Sequence, residues 1–392
     1  MFSRLFAPVL LLVALVATLG AAHPAAAFDT IARSAYVVDV TTGTVLLSKN
    51  ANTPEPPASM SKLMTVDLLF QALTDGRVKM TDTATVSPEA VRLTHLGGST
   101  MYLKVGDRPT IKQLIQGIIV NSGNDACVAV AEKLAGTESA FAKMMNAKAK
   151  ELGLKDSEFA NASGWPNPHQ LMSMHDLAML AMHIIKTYPQ YYHFFGETEY
   201  DFDNRAPGNR FNRNPLLGLG IGADGMKTGH TEASGFGLIG TAKRDGRRVL
   251  VVLNGLPTEQ SRGTEGEKLI NWAFGQFSIK QVAKKGQILA EAPVWMGDAS
   301  QVGLVPAKDL KLLVPVVGGS QVSAKVIYNA PLKAPIEAGT KVADLVVSAP
   351  GLQDRTIPLV AATTVRKGGV TKRLTTAAAQ LFRQVAGHAV NM

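Results

Sequence analysis

A single cysteine, Cys127, occurs in 392 residues, so the chain cannot form an internal disulfide. It lies in the apolar run Ala126-Cys127-Val128-Ala129-Val130, where a thiol behaves as a small buried hydrophobe. The eight histidines are scattered and never join other ligands at metal-binding spacing, so neither a metal site nor a cofactor is expected. A Lys/Arg stripe interleaved with aromatics is missing too. The net charge of +9 therefore does not point to nucleic acid, and leaves anionic lipid or an acidic substrate. The apolar run Pro8 to Leu19 is too short for a membrane span. With Arg4 before it and Ala25-Ala26-Ala27 after it, residues 1–27 read as a cleavable secretory signal. The remainder, about 365 residues, is long enough for two or three domains.

What is present begins with Ser59-Met60-Ser61-Lys62. The preceding Pro54-Glu55-Pro56-Pro57 cannot extend a helix backwards. Leu63, Val66, Leu69, Phe70 and Leu73 then recur at helical spacing. Residues three apart share a helix face, so the Ser59 hydroxyl and the Lys62 amine can meet. Burial beside other cations would lower the lysine pKa and let it take the serine proton. Unpaired amides of the first turn would favour an anion developing there. Taken alone, the pair is weak evidence and reads first as a capping serine followed by a solvated lysine.

Ala35–Val40 and Thr44–Ser48 read as a hairpin around Thr42-Gly43. Residues 59–190 are largely helical, with segments at Thr110–Val120 and Ala126–Leu134. Strands are expected at Gly225–Thr231, Phe236–Ala242 and Val249–Asn254, the last two joined through Asp245-Gly246. Lys268–Phe277 reads as a closing helix. The sheet must then be assembled from distant segments with helices between them. From Ile279 onward, short Val/Leu runs alternate with Gly, Pro and Asn turns, which suggests a small all-β domain used as spacer or interaction module. In the tail, Val370, Leu374, Ala378, Leu381, Phe382 and Val385 share a helical face opposite Lys372, Arg373, Gln380 and Arg383. Such a basic amphipathic helix suits an anionic membrane interface, or packing on its own protein. The expected division is 1–27 signal, 28–278 catalytic, 279–364 β-rich and 365–392 membrane-attaching.

Two further motifs change the weight of the first. Ser122-Gly123-Asn124 lies between two helical segments, where a tight turn can expose both side chains. Lys227-Thr228-Gly229 opens a strand after Gly222-Ala223-Asp224-Gly225. Ser-x-x-Lys, Ser-x-Asn and Lys-Thr-Gly in this order make the motif set of penicillin-binding proteins and class A β-lactamases. The chain resembles the low-molecular-mass penicillin-binding proteins of the D-alanyl-D-alanine carboxypeptidase type. Pro57-Ala58-Ser59-Met60-Ser61-Lys62, Asn121-Ser122-Gly123-Asn124-Asp125, Asn212-Arg213-Asn214 and Asp224-Gly225-Met226-Lys227-Thr228-Gly229-His230-Thr231 carry the likeness. It spans essentially the whole chain after the signal.

The resemblance implies an α+β fold: a β-lactamase/transpeptidase-like domain, antiparallel sheet with helices on both sides, then a small all-β domain and an amphipathic helix. It implies a periplasmic hydrolase on the outer face of the inner membrane that removes the terminal D-alanine from peptidoglycan pentapeptide stems. β-Lactams would acylate the same serine. By the same resemblance Ser59 is the nucleophile, Lys62 its base and Ser122 a proton relay. Asn124 would hold Lys62 or the substrate amide, and Lys227 would add positive field. Thr228 would bond the terminal carboxylate, and Gly229 would keep the strand edge clear. The amides of Ser59 and His230 would form the oxyanion hole, with the His230 side chain incidental. Arg262 matches a family arginine suited to the carboxylate, or is a surface charge beside a helix; Arg213 reads as structural. Where relatives often carry His-Gly, this chain has Ala162-Ser163-Gly164-Trp165, which bears on acyl-enzyme hydrolysis.

Three other functions compete. A β-lactamase would need Ser-Asp-Asn and a Glu-x-x-Leu-Asn segment, and the chain has neither. A DD-endopeptidase uses the same residues, and the C-terminal extension favours the carboxypeptidase. A non-catalytic wall-binding scaffold would not need Ser59, Lys62, Ser122, Asn124 and Lys227 together.

Overall fold

The protein is described by a computed structural model covering residues 28–370, apart from 206, 318–321, 351 and 353. The signal reading and the amphipathic tail from 371 onward lie outside the described residues. Ser34–Asp39 (β1) and Thr44–Lys49 (β2) form the first antiparallel hairpin. A 3-10 turn at Ala58–Ser61 runs directly into Lys62–Thr74 (α1). Pro88–His95 (α2), Ile111–Ile119 (α3), Asn124–Ala135 (α4), Glu138–Leu152 (α5) and Met174–Thr187 (α6) follow. A capping box of Thr110 and Gln113 starts α3, two backbone donors being satisfied reciprocally.

Ala223–Thr231 (β3), Gly235–Arg244 (β4) and Arg247–Leu256 (β5) return to the sheet, and Glu259–Gln276 (α7) closes the unit. The strand order β2-β1-β5-β4-β3 is antiparallel throughout, so β1 from the start of the chain pairs with β5 from two hundred residues later. Side-chain alternation gives the sheet two apolar faces. Tyr36, Val38, Leu250 and Val252 join the core under the α1–α6 layer. Ala35, Val37, Val249, Val251 and Leu253 pack with Leu269, Ile270 and Ala273 of α7. Strand β3 ends the sheet, with its outer edge beside the 3-10 turn.

The closing helix begins at Glu259, nine residues before the expected Lys268. Gly263 and Gly266 dilute the apolar periodicity there, while a Thr258/Ser261 capping box supplies the start. Arg262 is thereby placed as the buried residue of an otherwise largely exposed first turn and is no surface charge.

Beyond α7 come Phe277–Ala283 (β6), Ala290–Trp295 (β7), Gln301–Pro306 (β8), Leu310–Pro315 (β9), Ser323–Ile327 (β10), Leu332–Lys333 (β11), Lys341–Ser348 (β12) and Arg355–Ala361 (β13). β6 pairs with β9, and the other six form a sheet ordered β10-β12-β13-β8-β7-β11 around their own core. The Val/Leu runs at Ile288–Val294, Leu310–Val316, Val322–Ile327, Val342–Val347 and Thr356–Ala361 fall on β7, β9, β10, β12 and β13, and leave β6, β8 and β11 unannounced. The first has its apolar residues interrupted by Ser278, Lys280 and Gln281, the second is broken by Gly303 and Pro306, and the third is two residues long.

Arg247 ties β1 to the helix that covers the sheet. Its Nε donates to Asp39 Oδ2 at 2.5 Å, Nη2 to Ala273 O at 2.8 Å and Nη1 to Phe277 O at 2.6 Å, so one guanidinium caps α7 and neutralises a fully buried carboxylate. Arg247→Ala leaves the Asp39 carboxylate buried without its counter-charge, bonded only to Thr42, which costs about 3–5 kcal/mol. A fall in Tm on the order of 10 °C is expected in thermal unfolding, and an unchanged midpoint contradicts the role.

Candidate active site

The prolines ahead of Ser59 are held by Glu55. Its carboxylate accepts from Arg33 Nε (2.9 Å), Ser34 Oγ (2.9 Å) and Asn254 Nδ2 (2.8 Å), and its backbone pairs with Met172. This pins the 3-10 turn across the end of β1 and β5. Gly229 completes the seat: a Cβ there would lie 2.9 Å from Pro57 O and 3.1 Å from Met60 Cγ. The glycine is therefore demanded by the protein's own packing, a reason different from the clear substrate path expected for it.

Lys62 is completely buried, and each of its three ammonium donors has an acceptor. Nζ lies 2.8 Å from Ser59 Oγ, 2.7 Å from Asn124 Oδ1 and 2.6 Å from Ser163 O. Burial brings its pKa down to about 8, and Arg213 pushes in the same direction. Cys127 lies behind it on α4, fully buried, its thiol pushed up to about 12 by desolvation. The thiol stays neutral and offers the lysine no counter-charge.

The loop that supplies Ser163 O is built by Asn161, whose Oδ1 accepts from Ser163 N, Gly164 N and Trp165 N. Thr65 Oγ1 ties it to α1 through Ala162 O at 2.6 Å. Gly164 has φ +78 and presses on Ala58, where any side chain would collide with the carbonyl. The Ser163 hydroxyl itself turns toward Asn161 (3.3 Å), so the residue's contact with Lys62 is through its main chain.

Ser122 and Asn124 are buried at the cleft floor, contrary to the exposed turn expected for them. Ser122 holds φ +57, a sparsely populated region for a residue with a Cβ. Its Oγ accepts from Lys227 Nζ at 3.0 Å, and the same ammonium reaches Thr228 O at 3.1 Å. Burial, with Lys62 and Arg213 nearby, holds the Lys227 pKa well below its ordinary value. Next along the chain, Asp125 accepts from Thr100 Oγ1, Met101 N and Leu103 N, which fixes residues 99–103 as the opposite wall.

Between these walls lies a cleft of about 540 Å³ lined by Ser59, Ser122, Thr228, Gly229, His230, Arg213 and Arg262, with Ser99 and Tyr102 across from them. The His230 ring is exposed and stacks on Phe236, 3.9 Å between centroids. Arg262 Nη2 donates to Glu259 Oε1 (2.6 Å) and Arg213 O (3.1 Å), while its Nε finds no acceptor among the described residues. Arg213 Nη2 donates to Asn121 O at 2.9 Å. It is thus both a bracket between segments and part of the cleft wall, a role beyond the structural one expected. One end of the cleft therefore gathers two guanidiniums, with the Glu259 carboxylate, between them and solvent, as the acceptor of Arg262. Ser99, Tyr102, Glu259 and the Ser163 carbonyl were not legible as site residues; the Asp125 contacts explain the first two.

A neutral amine 2.8 Å from a hydroxyl can accept its proton; an ammonium cannot. With the Lys62 pKa at about 8, the neutral form grows as pH rises toward that value. Acylation of Ser59 by penicillin is expected to rise up to tenfold per pH unit below 8 and level off above it. A flat rate between pH 6 and 9 would contradict Lys62 as base.

Residues 20–257 match the D-alanyl-D-alanine carboxypeptidase family, and residues 277–367 match the penicillin-binding protein 5 C-terminal domain. D-alanyl-D-alanine carboxypeptidase DacD of Salmonella typhimurium is 35% identical over 346 residues, 86% of this chain and 87% of its own. DacA of Escherichia coli K12 is 33% identical over 342 residues, 86% of this chain and 84% of its own. The structure of penicillin binding protein 5 from Haemophilus influenzae superposes with a TM-score of 0.77 at 30% identity, over 87% of this chain and 99% of that one. With both parts of the fold and the length of the relatives matched, the chain belongs to the D-alanyl-D-alanine carboxypeptidase family.

Proposed function

We propose that this protein is a serine-type D-Ala-D-Ala carboxypeptidase that removes the terminal D-alanine of peptidoglycan stem peptides through an acyl-enzyme on Ser59. The observation that carries the reading is the 2.8 Å contact between the Ser59 hydroxyl and a buried Lys62 amine. Neutral Lys62 takes the hydroxyl proton as Ser59 Oγ bonds to the carbonyl carbon between the two D-alanines. The developing oxyanion is received by the amides of Ser59 and His230; losing one such donor costs about 3 kcal/mol. Ser122, in contact with Lys227, relays the proton to the departing nitrogen as the C–N bond breaks. Free D-alanine leaves, and water then hydrolyses the ester with Lys62 again as base. Asn124 holds Lys62 in place, consistent with its 2.7 Å contact.

Thr228 and Arg262 take the free carboxylate in this reading, and Arg213 adds positive field. The place of Thr228, Arg213 and Arg262 in one wall of the cleft supports it. A free carboxylate gains charge-assisted bonds there that an internal peptide bond cannot make, which favours a carboxypeptidase over an endopeptidase. The missing Glu-x-x-Leu-Asn segment disfavours a β-lactamase. β-Lactams act as covalent inhibitors at Ser59.

The division of labour is part of the same proposal: residues 28–278 perform the chemistry, 279–364 hold it away from the membrane, and 365–392 attach it. The signal at 1–27 and the basic amphipathic pattern of the tail support a periplasmic enzyme attached peripherally to the inner membrane. Among the described residues no helix is long and apolar enough to cross a membrane.

Labelled penicillin and a pentapeptide ending in D-Ala-D-Ala test the reaction. Label on Ser59 together with D-alanine release is expected, and Ser59→Ala loses both. Penicillin turnover without D-alanine release would make it a lactamase, and no label a scaffold. Arg262→Ala is expected to lower kcat/KM on the free-acid peptide tenfold or more while the C-terminal methyl ester changes less than threefold. Equal losses on both would remove Arg262 from carboxylate recognition. Deleting residues 366–392 is expected to leave hydrolysis intact and move the protein from the membrane to the soluble fraction; unchanged membrane association would exclude attachment through the tail.

A further inference from the structure

Ala162 is fully buried, and side chains from two other elements hold its backbone on both sides. Its carbonyl accepts from Thr65 Oγ1 of α1 at 2.6 Å. Its amide donates at 3.0 Å to Oε1 of Glu138, the first residue of α5. Asn161 shapes the loop from within, whereas these two bonds fix Ala162 against α1 and α5. The next carbonyl along the chain is that of Ser163, 2.6 Å from Lys62 Nζ.

Glu138 is half-buried, and burial pushes its pKa up. Among the described residues no cation lies within ion-pair distance of it. Arg92 of α2 is engaged by Glu89 at 2.7 Å, and Glu89 and Glu132 add like charge. The start of α5 favours the carboxylate, and the Ala162 amide is its one side-chain hydrogen bond among the described residues. Glu138 is not among the residues that line the cleft.

The Ser163 carbonyl decides which way Lys62 presents its lone pair. A neutral amine has two N–H bonds and a single lone pair. Asn124 Oδ1 at 2.7 Å and Ser163 O at 2.6 Å each take one hydrogen, which leaves the lone pair for the Ser59 hydroxyl at 2.8 Å. If that carbonyl withdraws, a hydrogen turns to Ser59 Oγ instead, and the amine donates to the group it must deprotonate. We propose that Glu138 is a positioning residue for the acylation of Ser59: by holding the Ala162 amide, it keeps the Ser163 carbonyl on Lys62 and the lone pair on the serine. This role rests on the reading of Ser59 as nucleophile and Lys62 as base. Loss of the contact slows the bond-forming step without weakening the binding that precedes it.

The test follows acylation of the full-length enzyme by labelled penicillin at pH 9. Lys62, with its pKa at about 8, is then mostly neutral, so its charge is not at issue. The limiting rate and the penicillin concentration giving half of it are measured separately. Glu138→Met keeps the length of the side chain and removes the acceptor. It should lower the limiting rate tenfold or more and change the half-saturating concentration less than threefold. Glu138→Ala, which a helix accepts readily, carries the same expectation if Glu138→Met does not fold. Glu138→Gln puts back an acceptor oxygen and should recover the rate to within threefold of the unaltered enzyme. A limiting rate within threefold in folded Glu138→Met or Glu138→Ala overturns the role. So does a Glu138→Gln as slow as Glu138→Met, or a loss confined to the half-saturating concentration. Label on Ser59 at equal rates in all variants removes only the role of Glu138, whereas no label on the unaltered enzyme removes the reading of Ser59 and that role with it.

Discussion

The structure depends on one arrangement: a lysine ammonium with no exposure to water, satisfied by three acceptors from separate parts of the chain. A cation removed from water is costly unless every donor is paired. Ser59 sits on the preceding turn, Asn124 starts α4, and the Ser163 carbonyl comes from the loop after α5. If any of the three moves, the lysine loses an acceptor in a place where water cannot replace it. The Glu55 bracket, the Thr65 tether and the Asn161-built loop hold those three parts in register. Desolvation that strains the fold here also gives the amine its lowered pKa.

Around this point the protein gathers basic side chains along the edge of β3. Two guanidiniums and a second buried lysine stand together there. Such a cluster orients a ligand that has an anionic end before any chemistry begins. Asp125 contributes from a distance by holding residues 99–103 as the facing wall, so a residue that touches no cleft volume still decides its width.

Much of this is written locally. The Thr42-Gly43 and Asp245-Gly246 hairpins follow from turn chemistry, and α1, α3 and α4 from helical periodicity. The three motifs could be picked out because the proposed nucleophile, base and relay each need a particular side chain. The start of α7 was hidden, since its glycines carry no apolar signal, and with it the buried position of Arg262. The Ser163 carbonyl was illegible for another reason: a main-chain oxygen has no residue identity to read. Arg213 reached the cleft wall through tertiary packing against Asn121, which no spacing announces.

Cys127 has a consequence of its own. Oxidative pairing of two copies requires a thiolate that a second sulfur can approach. Here the sulfur is sealed under α4, and its proton is held far into the alkaline range. In an oxidising compartment the folded protein therefore keeps its thiol closed to disulfide exchange. Its only thiol becomes vulnerable when the helical layer opens, so the same packing that shelters Lys62 also guards against cross-linked aggregates.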